Sequence, residues 1–562
     1  MSDPIWYNHY PEGVPQQINM DEYSSLVGLM EESFEKYASK ESFYCMGAVI
    51  TYRELDTLSR QFASFLQNHT DLEPGDRIAI QMPNLIQYPI ALFGAIRAGM
   101  VVVNTNPLYT VPEMEHQFTD ADVKAIVVLA NFASKLQEVL PKTSIKTVIV
   151  TEIGDMMSFP KRQLINFAVK YVKKMVPPYS LPQALSFRET LSKGKEKPFQ
   201  RVEVEKHNNA FIQYTGGTTG VAKGAELTHS NMLANMLQIR AWMQIRAKEG
   251  EEVIITALPM YHIFCLTVNC FAFTAFGAKN VMITNPRDMP AFVDELKKHK
   301  FTAFTGVNTL FNGLLNQPNI NEVDFSHLKL TVGGGMAVQQ AVADRWKKVA
   351  GCPLVEGYGL TEASPVLCCN PVDGNERIGT IGIPMPSTEI RIADEEGNPV
   401  GQGERGELWG RGPQVMRGYW KRPEATEGVL TEDGWLKTGD IAIMTEEGFF
   451  KIVDRKKDMI LVSGFNVYPN EVEDAVALHE KVLEVAAIGV DDEKSGEAVK
   501  VYVVKKEESL TAEELKAHCK ANLTGYKVPR HYAFIDAEEM PKSNVGKILR
   551  RKLKERDKMA SV

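Results

Sequence analysis

Short apolar runs alternate with helical patterns through the first two-thirds of the chain. RIAIQM (77–82) precedes QYPIALFGAIRAG (87–99), and FTAFTGV (301–307) precedes NTLFNGLLN (308–316). Continuous apolar strands separated by helices are typical of parallel sheets that are covered on both faces. The pattern therefore predicts an α/β fold with two such sheets in this part of the chain.

The pattern changes twice towards the C-terminus. From about Thr388, short alternating strands such as EIRIAD and GELWGRG are separated by glycine turns, which predicts a small β-rich unit. After Lys457, helical and strand patterns alternate over a segment long enough for a separate α+β domain. We therefore predict an N-terminal domain over 1–453, a hinge at 454–457 and a smaller, mobile C-terminal domain over 458–562.

One long uncharged stretch resembles a membrane span. Residues 253–278 contain no Asp, Glu, Lys or Arg, and a transmembrane helix needs about 20 apolar residues. Pro259 and His262 interrupt the stretch, and its first residues are β-branched. We interpret it as a buried strand, a loop and a buried helix.

A second stretch, 161–178, is amphipathic. Leu164, Phe167, Tyr171 and Met175 recur at helical spacing, and lysines lie between them. The pattern favours a helix packed on the core, and the alternative is a helix lying on an anionic membrane surface.

Composition excludes some classes of protein. The 562 residues are 44% hydrophobic and 24% charged, which is typical of a soluble protein with several domains. The net charge of −8 does not favour nucleic-acid binding. The seven cysteines form no C-x-x-C pair, so we expect neither a disulfide framework nor a zinc site. With no signal peptide expected at the N-terminus, we predict a reducing cytoplasm.

The segment YTGGTTGVAKGAELTH (214–229) is rich in glycine and threonine and includes Lys223. Backbone N–H groups of such a loop form a concavity that binds anions. The spacing is not that of a Walker A motif. Strand patterns flank the loop, so it joins a hairpin, and Ser230 and Asn231 are good N-cap residues for a following helix. The segment therefore predicts a phosphate site.

This loop resembles the phosphate loop of the acyl-adenylate-forming enzymes. Six further segments follow in that superfamily's order: ALPMYHIF, GGGMAV, EGYGLTE, GWLKTGDIA, DRKKDMILVSGFNVYPNEVE and PKSNVGKILRR. Three more, ITNPRDMP, TGVNTLFNGLLN and LTGYKVP, resemble the bacterial long-chain fatty-acid–CoA ligases. The resemblance covers nearly the whole chain. It implies ATP-dependent joining of a long-chain fatty acid to CoA through acyl-AMP, with Mg²⁺ as cofactor and release of AMP and pyrophosphate.

The resemblance also implies an ATP site. Its members are Tyr214, Thr215, Gly216, Gly217, Thr218, Thr219, Gly220, Val221, Ala222, Lys223, Gly224, Gly335, Met336, Glu356, Gly357, Tyr358, Gly359, Leu360, Thr361, Asp440, Ile452, Arg455 and Lys547. Within this set, Tyr358 is expected to stack on adenine and Asp440 to bind the ribose hydroxyls. Magnesium is expected at Thr218 and Glu362, because carboxylate oxygens are suitable ligands for this ion.

The remaining implied roles concern catalysis and the other substrates. The expected catalytic residues are Lys547, Glu362, Thr361 and His262, and the expected acyl pocket consists of His262, Val307, Gly334 and Gly335. Gly464 and Phe465 are expected to face CoA, and Lys457 to be the pivot of the hinge. Without the resemblance, Lys547 is one cation in a basic cluster, which is usually a solvated surface. His262 is assigned to positioning of the substrate carboxylate, not to proton transfer.

Several alternatives stay open. Within the superfamily they are a medium-chain or aromatic acid–CoA ligase and a fatty acyl-AMP ligase that serves a carrier protein. Outside it they are a non-catalytic nucleotide-binding module, an acyl-lipid carrier in which the site has decayed and, more remotely, nucleic-acid binding through the basic C-terminal helix. A homodimer and peripheral contact of segment 161–178 with the cytoplasmic face of the membrane are also open.

Overall fold

The computed structural model describes residues 4–215, 222–492, 494–543 and 546–560. The strands are β1 (Glu41–Cys45), β2 (Ala48–Thr51), β3 (Arg77–Gln81), β4 (Val101–Asn104), β5 (Val123–Leu129), β6 (Thr147–Thr151), β7 (Leu185–Ser186), β8 (Asn209–Thr215), β9 (Lys223–Thr228), β10 (Val253–Thr256), β11 (Lys279–Met282), β12 (Ala303–Gly306), β13 (Leu330–Gly333), β14 (Leu354–Gly359), β15 (Val366–Cys369), β16 (Ile383–Pro384), β17 (Glu389–Ala393), β18 (Gly406–Arg411), β19 (Gly418–Tyr419), β20 (Leu436–Met444), β21 (Phe450–Arg455), β22 (Ile460–Val462), β23 (Phe465–Val467), β24 (Val482–Asp492), β25 (Gly496–Lys505) and β26 (His531–Phe534).

The α-helices are α1 (Leu26–Lys36), α2 (Tyr52–Asn68), α3 (Gln87–Arg97), α4 (Val111–Asp120), α5 (Ala133–Val139), α6 (Lys161–Phe167), α7 (Phe187–Lys193), α8 (His229–Met243), α9 (Met289–Leu296), α10 (Asn308–Leu315), α11 (Gln340–Ala350), α12 (Pro423–Glu427), α13 (Pro469–Ala477), α14 (Ala512–Asn522) and α15 (Arg550–Ala560). Two π-helical segments, Ala168–Val172 and Cys265–Phe273, extend α6 and follow β10. Short 3₁₀ turns are Ile5–His9, Ala130–Phe132, Leu140–Lys142, Ile320–Glu322, Thr361–Ala363 and Gly525–Lys527.

Two large, mainly parallel sheets form the N-terminal part. One has nine strands in the order β16-β15-β14-β13-β12-β10-β11-β1-β2, and the other has eight in the order β19-β9-β8-β4-β3-β5-β6-β7. One continuous hydrophobic core includes strands of both sheets. Helix α3 is buried along its whole length, as expected for a helix that is apolar all round. The predicted pair of α/β sheets is confirmed.

A four-stranded antiparallel sheet, β17-β18-β20-β21, is the predicted β-rich unit. The C-terminal part forms a five-stranded sheet, in which β24 and β25 pair over most of their length. Alternating residues of β24 enter two different cores: Val485 and Ala487 face α13 and α14, and Ala486 and Ile488 pack with Leu553 of α15. The predicted α+β domain is confirmed, whereas its boundaries and the hinge stay predictions, since β21 runs to Arg455.

The uncharged stretch 253–278 folds as the pattern predicts. It forms β10, a loop containing His262 and the buried π-helix Cys265–Phe273. Among the residues that the structure describes, no helix has the length and apolar character needed to cross a bilayer.

Two local predictions were wrong. Helix α8 begins at His229 and is capped by Thr228, whose side chain accepts a hydrogen bond from the N–H of Asn231, so neither Ser230 nor Asn231 is the N-cap. Segment 161–178 is helical over Lys161–Val172, but this helix does not pack on the core. Leu164 is 64% exposed, Phe167 59% and Val172 69%, so its apolar face is open to solvent.

Candidate active site

A cavity of about 1860 Å³ lies where the two large sheets, the β-rich sheet and the C-terminal domain meet. The predicted site residues that line it are Tyr214, Thr215, Ala222, Lys223, His262, Val307, Gly334, Gly335, Met336, Glu356, Gly357, Tyr358, Gly359, Leu360, Thr361, Glu362, Asp440, Ile452, Arg455, Lys457 and Lys547. These residues come from segments far apart in the chain. Their convergence on one cavity is the central observation about this molecule.

The phosphate loop joins a hairpin, as predicted. Strands β8 and β9 pair antiparallel, with Thr215 opposite Lys223. The predicted loop residues Gly216, Gly217, Thr218, Thr219, Gly220 and Val221 lie outside the described residues. Gly224 does not line the cavity, because its position is enclosed by Ile212 and Tyr214 of the neighbouring strand.

Lys223 and Glu362 are linked by a tyrosine that sequence reasoning missed. The Tyr419 hydroxyl donates a 2.7 Å hydrogen bond to Glu362 Oε1, and Lys223 Nζ lies 4.5 Å from the centre of the same ring. Tyr419 reaches this place because β19 pairs with β9, with Tyr419 opposite Ala225. A cation and a carboxylate are thus held beside the phosphate loop, without a direct ion pair between them among the described residues.

The predicted adenine and ribose residues contact each other. The Tyr358 hydroxyl donates a 2.6 Å hydrogen bond to Asp440 Oδ2, and Arg455 Nε lies 3.7 Å from Asp440 Oδ1. Strands β20 and β21 bring Asp440 opposite Arg455 in the β-rich sheet. The carboxylate is therefore fixed on two sides at the cavity wall, where it accepts hydrogen bonds.

His262 faces the cavity as a neutral imidazole. Burial, with a further contribution from the Lys547 ammonium, lowers its pKa to about 4. The N–H of Phe264 points at its Nδ1 at 3.4 Å, which favours the tautomer with hydrogen on Nε2. A neutral ring of this kind can donate its Nε2–H to a carboxylate, and at neutral pH it does not hold a second proton.

In the cavity wall around His262, the backbone lies close to neighbouring groups, so the wall contains glycines. Gly335 has a φ of +76°, a conformation that glycine adopts readily. A Cβ on Gly334 would lie 3.0 Å from the Phe264 ring and 3.1 Å from the Gly357 carbonyl oxygen. Beside them, burial raises the pKa of Glu356 to about 8, so this carboxyl holds a proton at neutral pH.

Lys547 enters the cavity from the C-terminal domain. Burial first, and then the nearby Arg455 guanidinium, lower the pKa of Lys547 to about 7, while Asp440 opposes the shift. Its backbone is held in a turn, where the Ser543 N–H donates to the Lys547 carbonyl at 2.7 Å and the Lys547 N–H donates to Ser543 Oγ at 3.1 Å.

Two other cations of this basic cluster, Lys542 and Arg550, are paired with carboxylates. Arg550 forms ion pairs with Asp454 at 3.0 Å and Glu473 at 2.6 Å, and Lys542 pairs with Glu484 at 2.7 Å. Lys547 has no carboxylate within ion-pair distance in the described part of the chain. The cluster is therefore not one solvated basic surface, and its unpaired ammonium faces the cavity.

The expected CoA segment lies elsewhere. Gly464 and Phe465 are absent from the cavity lining, and Phe465 is 56% exposed and stacks on Tyr526 with 4.8 Å between ring centres. In this arrangement of the domains, Lys547 faces the cavity while the segment around Phe465 faces solvent.

One branch of the cavity is apolar. Its apolar lining includes Ile239, Trp242 and Met243 of helix α8, Val268 and Phe273 of the π-helix Cys265–Phe273, and also Ile263, Phe264, Val332, Cys369 and Val372. Val268 and Phe273 lie on this π-helix, which follows the loop containing His262. A narrow apolar chain therefore fits in this branch with its polar end at His262.

Known proteins match nearly the whole chain. Residues 30–420 match the family model for AMP-binding enzymes, and residues 471–547 match that for their C-terminal domain. The chain belongs to the AMP-binding enzyme family. It is 56% identical to a long-chain-fatty-acid–CoA ligase of Yersinia pestis, covering 99% of this chain and 98% of the relative. It is 53% identical to the enzyme of that name from Haemophilus influenzae, covering 99% of both chains.

Solved structures also match this AMP-binding enzyme. A benzoate CoA ligase from Burkholderia xenovorans LB400 is 26% identical, with a TM-score of 0.79 over 94% of this chain and 99% of that chain. The superfamily and the fold that the sequence motifs predicted are therefore confirmed. The role of each site residue stays a prediction.

The residues of this AMP-binding enzyme fit a magnesium ion held mainly by its substrate. The described residues contain no group of three or more His, Cys, Asp or Glu side chains arranged for a metal. Glu362 offers a carboxylate next to the phosphate loop, with one oxygen accepting from Tyr419. Magnesium commonly uses one or two carboxylates together with substrate phosphates, so this donor set suits it.

Proposed function

We propose that this AMP-binding enzyme joins long-chain fatty acids to CoA, using ATP and passing through an enzyme-bound acyl-AMP. The observation that carries the proposal is the position of the Lys547 ammonium, which lines the same cavity as Asp440, His262 and a set of apolar side chains and interacts electrostatically with both Asp440 and His262. A nucleotide, a carboxylate and a long apolar chain are then bound side by side. The relatives with 53–56% identity carry the same activity in their names, which supports the choice.

In the first step, a carboxylate oxygen attacks the α-phosphorus of ATP. A bond forms between them, the bond to the pyrophosphate oxygen breaks, and the electron pair leaves with pyrophosphate. The Nε2–H of His262 holds the carboxylate, and Lys547 neutralises charge on both the carboxylate and the α-phosphate. Lys223 is placed to neutralise the outer phosphates. A magnesium ion held by Glu362, and by Thr218 as predicted from sequence, would withdraw further charge from the phosphates.

In the second step, the CoA thiolate attacks the acyl carbonyl carbon. The thioester bond forms, the bond from carbon to the phosphate oxygen breaks, and AMP leaves. Lys547 blocks one side of the cavity in the present arrangement, so the C-terminal domain must turn about the predicted hinge at Lys457 before this step. The turn would bring Gly464 and Phe465, now exposed, towards the reacting carbon.

The apolar branch favours long chains over the alternatives. Trp242, Met243 and Phe273 add to its lining more apolar surface than a single benzoate ring can cover. Pairing of Arg550 with Asp454 leaves one cation fewer for nucleic-acid binding through the C-terminal helix, which weakens that alternative. The five charged residues expected in the site, Lys223, Glu362, Asp440, Arg455 and Lys547, all face one cavity, which argues against a decayed, non-catalytic module.

The proposal is tested with purified protein, ATP, Mg²⁺ and a series of fatty acids of increasing length. We expect AMP and acyl-CoA in equal amounts when CoA is present, with oleate preferred over octanoate and benzoate. Formation of acyl-AMP with no thioester from free CoA would indicate an acyl-AMP ligase. Release of no AMP with any acid would contradict the proposal.

We further propose that segment 159–175 contacts an anionic membrane surface at the cytoplasmic face. Its exposed apolar side chains are Phe159, Leu164, Phe167, Tyr171, Val172 and Met175. Met46, also exposed, is joined to this surface because Lys161 Nζ donates a 2.7 Å hydrogen bond to its carbonyl oxygen. Lys170, Lys173 and Lys174 are exposed on the same segment. Apolar side chains flanked by lysines suit the boundary between acyl chains and anionic headgroups.

Replacing Lys170, Lys173 and Lys174 together by Glu is expected to weaken binding to vesicles of anionic phospholipid. Each lysine near such a surface contributes about 1 kcal/mol, so losing three weakens binding by roughly a hundredfold. Co-sedimentation with vesicles measures the change. Lys506, Lys516 and Lys520, replaced together by Glu, give the same charge change on the C-terminal domain and should leave binding nearly unchanged. Equal binding by the first variant and the wild type would refute membrane contact. The expected homodimer and the cytoplasmic location stay predictions.

A further inference from the structure

Helix α10 of the large domain contacts the C-terminal domain through two side chains. The Thr309 hydroxyl donates a 2.9 Å hydrogen bond to the Gly546 carbonyl oxygen, and the Asn312 amide donates a 3.0 Å bond to the Leu483 carbonyl oxygen. Residues three apart lie on the same face of a helix, so both bonds are made by one edge of α10. Both also line the cavity.

The Leu483 carbonyl is available because of an irregularity in the sheet. Strand β24 pairs with β25 through Val482 and Glu484, but the register shifts between these two residues. A bulge of this kind leaves one residue out of the ladder and redirects its backbone groups. The carbonyl of Leu483 thereby points to Asn312 of the other domain.

The Asn312 amide is oriented by its neighbours. Its Oδ1 accepts hydrogen bonds from Arg345 Nη1 at 3.3 Å and from Asn316 Nδ2 at 3.2 Å. Because both partners are donors, the amide oxygen must face them and the amide nitrogen must face Leu483. The large domain therefore presents a preoriented donor, and Asn312 is only 8% exposed.

Gly546 fits tightly against Thr309. Its φ is +80°, and a Cβ there would lie 2.7 Å from Thr309 Oγ1. Gly546 directly precedes Lys547, so the bond from Thr309 determines where the backbone of this lysine lies. Any rotation of the C-terminal domain away from the cavity breaks the contacts of both Thr309 and Asn312.

We propose that Thr309 and Asn312 form a docking latch, which stabilises the domain arrangement that places Lys547 in the cavity. They are positioning residues, since they act through Lys547 and touch no reacting atom. The role of this latch rests on the proposed two-step function. Thr309 and Asn312 act only in its first step, the formation of acyl-AMP. Contacts made in one of two domain arrangements shift the equilibrium between them by their free energy.

The test uses substitutions that keep the shape of the side chain and remove its hydrogen-bond donor. Thr309→Val loses the hydroxyl, and Asn312→Asp keeps the acceptor for Arg345 but loses the N–H group. Each is expected to slow single-turnover formation of oleoyl-AMP about threefold to tenfold, as for the loss of one hydrogen bond, and the double variant by roughly tenfold or more. Thioester formation from supplied oleoyl-AMP and CoA should be as fast as in the wild type, or faster. Thr309→Ser keeps the hydroxyl group and should therefore form oleoyl-AMP at the wild-type rate.

Gln317→Ala is the matched control, because Gln317 follows α10 and bonds only within the large domain. It should leave both steps unchanged. Wild-type rates of oleoyl-AMP formation in Thr309→Val and Asn312→Asp would overturn the latch, as would equal slowing of both steps in both variants. If the double variant fails to fold, the rates of oleoyl-AMP formation in the two single variants test the latch by themselves. Failure of the wild type itself to form oleoyl-AMP would instead contradict the proposed function.

Discussion

Replacing Lys547 by Ala is expected to reduce acyl-AMP formation by roughly a hundredfold to a thousandfold, the loss typical of a removed charge-stabilising group. The Lys547 ammonium lines the cavity without a carboxylate at ion-pair distance among the described residues, and burial lowers its pKa to about 7. The second step should continue, because the thiolate attacks after Lys547 has left. Pyrophosphate release without CoA measures the first step, and thioester formation from supplied oleoyl-AMP measures the second.

Lys558→Ala provides the control for this variant. Lys558 lies on α15 and is exposed, so its removal changes the charge of the same domain without affecting the cavity. It should retain wild-type rates in both steps. The role assigned to Lys547 is wrong if its alanine variant still forms acyl-AMP at the wild-type rate, or if it loses both steps to the same extent.

Replacing Val268 by Phe is expected to convert the preference from long to medium-chain acids. Val268 lines the apolar branch between His262 and Phe273, and a ring at this position would fill the branch. Each buried methylene contributes about 0.8 kcal/mol, so excluding about four of them costs about 3 kcal/mol. The kcat/KM for oleate should fall by roughly a hundredfold, while that for octanoate should change little.

Two controls separate a blocked branch from a damaged fold. Octanoate is the internal control, since a misfolded protein would lose activity with both acids. Val268→Ala, which widens the branch, should retain activity with oleate. If the Phe variant keeps the wild-type ratio between oleate and octanoate, the acyl chain does not lie along this branch.

The sequence predicted much of the fold, because its strands and helices differ in hydrophobic period. Strand β17, in which buried Ile390 and Ile392 alternate with more exposed neighbours, and helix α2, in which Leu55, Ser59 and Phe62 are buried, illustrate the two periods. Segment 161–178 shows the limit of such patterns. Apolar residues at helical spacing predict a helix with one apolar face. They do not indicate whether that face packs on the protein core or contacts a membrane.

The sequence by itself determined the chemistry available to this protein. The motifs that follow one another in a fixed order contain the phosphate loop, Glu362, Asp440 and Lys547. Activation of a carboxylate by a nucleotide needs both the cations and the carboxylates of this set, so the residue types alone predicted that chemistry. Only the tertiary structure decided which of these side chains are free to act. Arg550 and Lys547 look alike in the sequence, yet carboxylates distant in the chain neutralise one of them and leave the other facing the cavity.

Tyr419, Thr309 and Asn312 were missed for the same physical reason. Tyr419 meets Glu362 through the pairing of β19 with β9, and the bonds of Thr309 and Asn312 cross between domains. No local pattern records a contact between residues so far apart, because their side chains have ordinary neighbours in the sequence. Long-range packing brings them together, and it thereby decides which domain arrangement presents the lysine to the cavity.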